Sequence, residues 1–290
     1  MKTSRFYHRK KLITEYHLSL LKRCAHLALA ISGLVVILAE QSPSTARPIT
    51  MNGLILAQSQ TAQSFYQQGV AKFVRSDDKG AIADFTEAIQ LKPDYAEAYF
   101  YRGRVRQFIN KDFQGGISDF TEAIRLKPDY ATAYFYRGSF HAQVEKYQLG
   151  ISDFTNAIRL KPSYAEAYYL RGESYLAVKS YKQAIPDFTE ALRLKIEKPT
   201  DVQAYFSRGL SYQRMRLHRQ AVSDFKQVIR LNPDSSNAYY RSGFSLTQLG
   251  FYQEAISDLT VAIRLDPNHE QAFAQRASVK ERLENYGSID

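Results

Sequence analysis

The sequence predicts an all-α solenoid of stacked helix–turn–helix units, and three observations carry that prediction. Glycine recurs at Gly69, Gly103, Gly138, Gly172, Gly209 and Gly243, in steps of 34, 35, 34, 37 and 34 residues. Aspartate recurs in phase at Asp84, Asp119, Asp153, Asp187, Asp224 and Asp258. Helix-start signatures recur at the joints: Asp94/Glu97, Ser163/Glu166, Thr200/Gln203 and Asn268/Gln271, with Asp129/Thr132 and Asp234/Asn237 as weaker variants. A fixed period in the thirties marks an array whose units bury their apolar faces only against one another. The units run over residues 62–95, 96–130, 131–164, 165–201, 202–235 and 236–269, then a partial repeat or capping helix at 270–286.

Residues 131–164 show the plan of one unit. Tyr134 and Gly138 lie four apart on one face of a first helix. Ile151, Phe154, Ala157, Ile158 and Leu160 form the stripe of a second helix, after a turn at 145–149. Pro162 ends it, because proline cannot continue the hydrogen-bond ladder and biases Lys161 away from helical backbone. Each first-helix glycine is expected to face a small residue of the second helix: Ala81, Gly116, Gly150, Ala184, Ala221 or Ala255. The aromatic residue four places before each glycine fills the gap alongside, with Phe85, Phe120, Phe154, Phe188, Phe225 and Leu259. Residues 270–286 keep Phe273 and Ala277 inward and carry Lys280, Glu281, Arg282 and Glu284 outward, as a terminal cap requires.

The order aromatic-x3-Gly, Ala-x3-Phe, Pro, repeated six times over residues 62–286, resembles the tetratricopeptide repeat family. The resemblance implies a right-handed superhelical solenoid with a C-terminal capping helix. It also implies a non-catalytic, protein-binding role. The chain departs from the family pattern in three ways. The usual Trp is Tyr or Phe throughout. Arg102, Arg137, Arg171 and Arg208 replace the large apolar residue before the glycine. The second and fourth units carry insertions, near 108–112 and at 196–198.

Those arginines are expected to form a ladder with the recurrent aspartates. An Arg follows each Asp by 18 residues, or by 21 past the insertion, giving Asp84–Arg102, Asp119–Arg137, Asp153–Arg171, Asp187–Arg208 and Asp258–Arg276. The first unit has Gln68 in the slot and the last segment has Arg276 without an Asp, which favours pairing across the joints. In the sixth unit the arginine slips to Arg241, leaving Ser242 in the slot.

The leader differs in kind. Residues 1–23 hold seven Lys/Arg against Glu15, and residues 25–39 are apolar apart from His26, Ser32 and Gly33. This is the plan of a secretory signal, short for a spanning helix. Candidate cleavage sites are Ser44-Thr45-Ala46 and Ile55-Leu56-Ala57. Residues 1–46 are therefore read as signal or anchor and 47–61 as linker. The repeats are then exported, extracytoplasmic or membrane-anchored, with the basic end inside. Net charge is +10 overall, but residues 1–57 hold eight basic against two acidic residues and the remainder 31 against 27. The high pI thus belongs mostly to the leader and argues against nucleic-acid binding. Cys24, the single cysteine, lies there too, so no disulfide forms within the chain.

No catalytic or metal motif emerges. His141, His218 and His269 occupy different slots of different units, and the chain has neither an HExxH motif nor a phosphate-binding glycine loop. No cofactor is expected. The expected binding groove is lined by first helices, with Tyr66, Phe100, Phe135, Tyr169, Phe206 and Tyr240 beside the core aromatics and Arg104 and Glu173 nearby. Aromatic side chains give large contact area at low entropic cost. Residues Tyr66, Val70, Tyr101, Thr132 and Tyr136 stand where the family's chaperone adaptors carry a cationic carboxylate clamp, and none is cationic. The reading is a scaffold for other proteins or extended peptide segments. The alternative is a self-assembling component of a membrane-associated complex, as a homo-oligomer.

Overall fold

A computed structural model describes residues 51–109 and 111–287, and the leader reading falls outside them. The described residues form thirteen helices and no strands. They divide into two compact units, at 1–128 and 129–290.

The first unit holds α1 (Met51–Val74), α2 (Asp78–Leu91), α3 (Ala96–Arg106) and α4 (Phe113–Leu126). Here α1 pairs with α2 and α3 with α4. The first helix begins at Met51, so the stretch 51–61 read as linker continues into the repeat as helical backbone. Phe85, Ala81 and Val105 are fully buried, with Tyr66, Val70, Phe73 and Tyr101 packed around them. The second unit holds α5 (Ala131–Gln143), α6 (Tyr147–Leu160), α7 (Ala165–Ala177), α8 (Tyr181–Arg193), α9 (Thr200–Arg214), α10 (His218–Leu231), α11 (Ser236–Gln248), α12 (Tyr252–Leu265) and α13 (Glu270–Gly287). It stacks four hairpins, α5–α6 to α11–α12, and closes with α13 against α12.

Small residues set the spacing inside each hairpin. A Cβ added at Gly138 would lie 3.0 Å from Asp153 Cβ and 3.0 Å from the Phe154 ring, and 3.1 Å from the Gly150 carbonyl. The second-helix phenylalanines Phe85, Phe120, Phe154, Phe188 and Phe225 are wholly buried. Each contributes on the order of 1.5–3 kcal/mol by leaving water.

Helix ends follow the sequence in part. Lys161 before Pro162 adopts φ −136°, ψ 86°, and Lys92, Lys127 and Asn232 before their prolines do the same. The start signals differ from expectation. Three first helices begin one residue later than the capping pairs implied, with Tyr95, Tyr130 and Tyr164 at the cap position and no side-chain cap bond, whereas α9 begins at Thr200 itself, after Pro199. Side-chain caps occur at two second helices, where Asp77 accepts from Gly80 N–H and Asp112 from Gly115 N–H, and at the first helix α11, where Ser235 accepts from Ala238 N–H. The joint tyrosines serve the core instead: Tyr95 and Tyr164 are buried.

Candidate functional site

Four buried arginine–aspartate pairs form in the described chain, in a different register from the one expected. Arg102 grips Asp119 through Nε (3.1 Å) and Nη2 (2.7 Å). Arg137 holds Asp153 in the same fork (3.0 and 2.7 Å), as Arg171 holds Asp187 and Arg208 holds Asp224 (2.8 and 2.7 Å each). Each pair closes within one hairpin, from first helix to second, so the expected pairs Asp84–Arg102, Asp119–Arg137, Asp153–Arg171 and Asp187–Arg208 are corrected. The reason is helical geometry. The recurrent Asp sits directly before the buried phenylalanine, and Asp119 and Asp153 bring Cβ to 3.1 and 3.0 Å from where Gly103 and Gly138 would carry one. Their carboxylates therefore point at the first helix of their own hairpin.

The link to the preceding hairpin runs through threonine. Arg102 Nη1 donates to Thr86 (3.2 Å), Arg171 Nη1 to Thr155 (3.1 Å) and Arg208 Nη1 to Thr189 (3.0 Å). These threonines stand two places after the recurrent aspartates, so the sequence period carried both contacts.

The slot one turn further along the first helix supplies a second cation or a ring. Lys72 serves Asp84 at 2.8 Å, which accounts for Gln68 in the arginine slot. Arg106 adds to Asp119 at 3.1 Å, and His141 stands 3.8 Å from Asp153. Burial holds the His141 imidazolium below its ordinary pKa, against the pull of Asp153. Asp258 meets Ser242 where the others meet arginine, and its Oδ2 is buried without a hydrogen bond. Burial pushes its carboxyl up, with Ser242 and then Lys226 opposing. The expected Asp258–Arg276 pair is corrected too: Arg276 reaches Thr260 at 3.4 Å instead.

Three of the six expected groove aromatics are core. Phe100 is 5% exposed, Phe135 1% and Tyr169 8%. Phe135 lies between Phe154 of its own hairpin (6.0 Å) and the next joint residue Tyr164 (4.7 Å, stacked). Tyr66 meets Phe85 and Tyr95, Tyr169 meets Phe188, Phe206 meets Phe225, and Tyr240 meets His269 at 4.8 Å in a tilted contact. These rings seal hairpins to joints, and only Tyr66, Phe206 and Tyr240 stay half-buried. Arg104 is also buried, 5.3–5.5 Å from the Phe73, Phe100 and Tyr101 ring centroids.

Successive first helices touch: α1 meets α3, α5 meets α7, α7 meets α9 and α11 meets α13. Within each unit they form the inner wall. In the second unit that wall leaves Glu173, Leu210, Gln213 and Phe244 half-buried. Gln213 crosses from α9 to α11, donating to Ser245 (2.8 Å) and accepting from Arg241 (3.2 Å). Among the described residues no three His, Cys, Asp or Glu gather as metal ligands, and no helix is long and apolar enough to cross a membrane.

A family profile described as tetratricopeptide repeat matches residues 141–201 and 206–270. The crystal structure of YrrB, a TPR protein with an unusual peptide-binding site, superposes with TM-score 0.61 at 23% identity, over 67% of this chain and 97% of YrrB. MamA superposes with TM-score 0.55 at 26% identity, over 59% and 91%. The pilF protein of Pseudomonas aeruginosa gives TM-score 0.59 at 16% identity, over 77% and 99%. The comparison with curated proteins finds no match.

Proposed function

Because this chain is built of tetratricopeptide repeats, we propose that it is a non-catalytic scaffold binding extended segments of other proteins along the inner wall of its first helices. The observation that carries the proposal is the division of labour on those helices. Phe100, Phe135 and Tyr169 are spent on the core, while Glu173, Leu210, Gln213 and Phe244 keep part of their surface in water on adjoining helices of one wall. Mixed apolar and polar groups on rigid helices suit an extended backbone, whose amides need polar partners while its side chains seek apolar ones. The peptide-binding site of YrrB is a fold-level analogy for this use. The basic and apolar leader supports a location outside the cytoplasm, exported or tethered.

Peptides selected by phage display against the full chain test the reading, with affinities measured by calorimetry. Leu210→Glu and Phe244→Glu are expected to weaken the selected peptides by at least about tenfold, as removal of central apolar anchors does. Unchanged affinity in both variants would overturn it, as would salt-dependent retention on single-stranded RNA in place of peptides.

A further inference from the structure

The last helix, α13, carries a complete first-helix face that no second helix of the described chain covers. Phe273 stands in the slot of Tyr99, Tyr134, Tyr168, Tyr205 and Tyr239, Arg276 in the arginine slot, Ala277 in the glycine slot and Lys280 one turn on. The inner side of α13 is docked, since Ala272 and Val279 are fully buried in the core shared with α12. The other side is open. Phe273 is 43% exposed while its counterparts are half-buried. Ala277 is exposed, whereas Gly103, Gly138, Gly172, Gly209 and Gly243 are all buried.

Charge identifies what this face accepts. Arg276 Nη1 reaches back to Thr260, the brace that Arg102, Arg171 and Arg208 make to their own threonines. In those three the remaining edge of the guanidinium, Nε and Nη2, holds an aspartate. The same edge of Arg276 faces no carboxylate among the described residues. Lys280 occupies the slot from which Lys72 and Arg106 add a second cation to Asp84 and Asp119. Residues 1–76 contain no aspartate, and so no copy of the aspartate-before-apolar pattern that fills this fork in the other hairpins. Two α13 faces set against each other would bring Arg276 and Lys280 of both copies together, a like-charge contact that disfavours a second copy there.

We propose that the open face of α13 docks an amphipathic helix of a partner protein that carries an aspartate three places after a small residue and directly before a large apolar one. That is the pattern of the chain's own second helices: Gly116/Asp119/Phe120, Gly150/Asp153/Phe154 and Ala184/Asp187/Phe188. The partner completes a seventh hairpin in trans. Its aspartate enters the fork of Arg276, its small residue lies against Ala277, and its large apolar residue packs against the open face. This surface lies on the outer flank of the terminal helix and is separate from the inner wall.

The probe is a hydrocarbon-stapled, fluorescein-labelled peptide with the sequence of residues 147–160, titrated with the full chain by fluorescence anisotropy. Saturable binding is expected. Arg276→Gln in the chain, or Asp→Asn at the peptide position of Asp153, weakens it by about tenfold or more, as loss of a charge-assisted fork does. The two changes together cost little more than either alone. Ala277→Glu abolishes binding while the helical dichroism of the chain stays unchanged. Absence of binding, or equal affinity for wild type and Arg276→Gln, overturns the proposal. A self-association seen by light scattering that Arg276→Gln dissolves would also overturn it, since a second copy then fills the face.

Discussion

A carboxylate that leaves water on folding needs a cation close enough to replace its hydration, and five of the six recurrent aspartates have one. Asp119, Asp153, Asp187 and Asp224 are held by arginine and Asp84 by Lys72. Asp187 is 4% exposed, so removing its partner strands a charge in a poorly solvated place. Arg171→Gln is expected to lower stability by about 3 kcal/mol, read from urea denaturation; a loss under 1 would mean the pair is solvated like a surface one. Asp258 is the exception, and its pH dependence has a defined sign. Its folded pKa lies above the unfolded value, so it stabilises the fold below the unfolded pKa and loses that contribution as pH rises through the folded one. Asp258→Asn should therefore raise the melting temperature at pH 7 and leave it nearly unchanged at pH 3, as scanning calorimetry would show. The sequence displayed the members of the ladder through their spacing. It did not display the partner choice, because an Arg between two aspartates at similar separations, 18 or 21 behind and 16 or 17 ahead, is resolved only by which side of each helix faces inward.

Turns between the two helices of a hairpin pass through left-handed backbone. Ser76, Lys111, Glu145, Lys179 and Arg216 hold φ between 54° and 63°, and only the sixth hairpin uses glycine, at Gly250 with φ 81°. A side chain there costs about 1 kcal/mol. Lys179→Gly is accordingly expected to stabilise the chain by up to about that amount, and Gly250→Ala to destabilise it comparably; chemical denaturation of the pair checks both signs. The sequence placed these turns well because the apolar stripes stop on either side. It misplaced three first-helix caps because at those joints a capping signature competes with a tyrosine one place later. Tyr164, at that place, stacks on Phe135 at 4.7 Å and is buried. Burying that ring outweighs a cap bond of roughly 1 kcal/mol.

At the scale of the molecule, periodicity made the architecture legible before any contact was known. Every unit repeats the same demands for an aromatic, a small residue and an aspartate, and all but the fourth add a proline stop. The inner wall was less legible. Position along a first helix indicates facing, but not that the joint residue of the next hairpin covers a ring such as Phe135. Leu210 and Phe244 share the slot of Arg104 and Glu173, directly after the recurrent glycine, so spacing alone puts them on that wall; the structure adds that part of their surface stays in water, and the peptide-selection experiment is aimed at them for that reason.

The wiring of the arginines also bears on how such a chain could lengthen or shorten. Ionic partners sit inside one hairpin, whereas neighbours are joined by a neutral hydroxyl, Thr86 to Arg102 or Thr155 to Arg171. Tandem duplication or loss of a hairpin such as α5–α6 or α7–α8 therefore creates no stranded ion, since each brings its own counter-charge and a threonine, Thr155 or Thr189, for the next seam; the sixth hairpin, with Asp258 lacking a cation and Lys226 at the seam before it, is the exception. A gene built this way can vary its copy number by slippage with little electrostatic penalty.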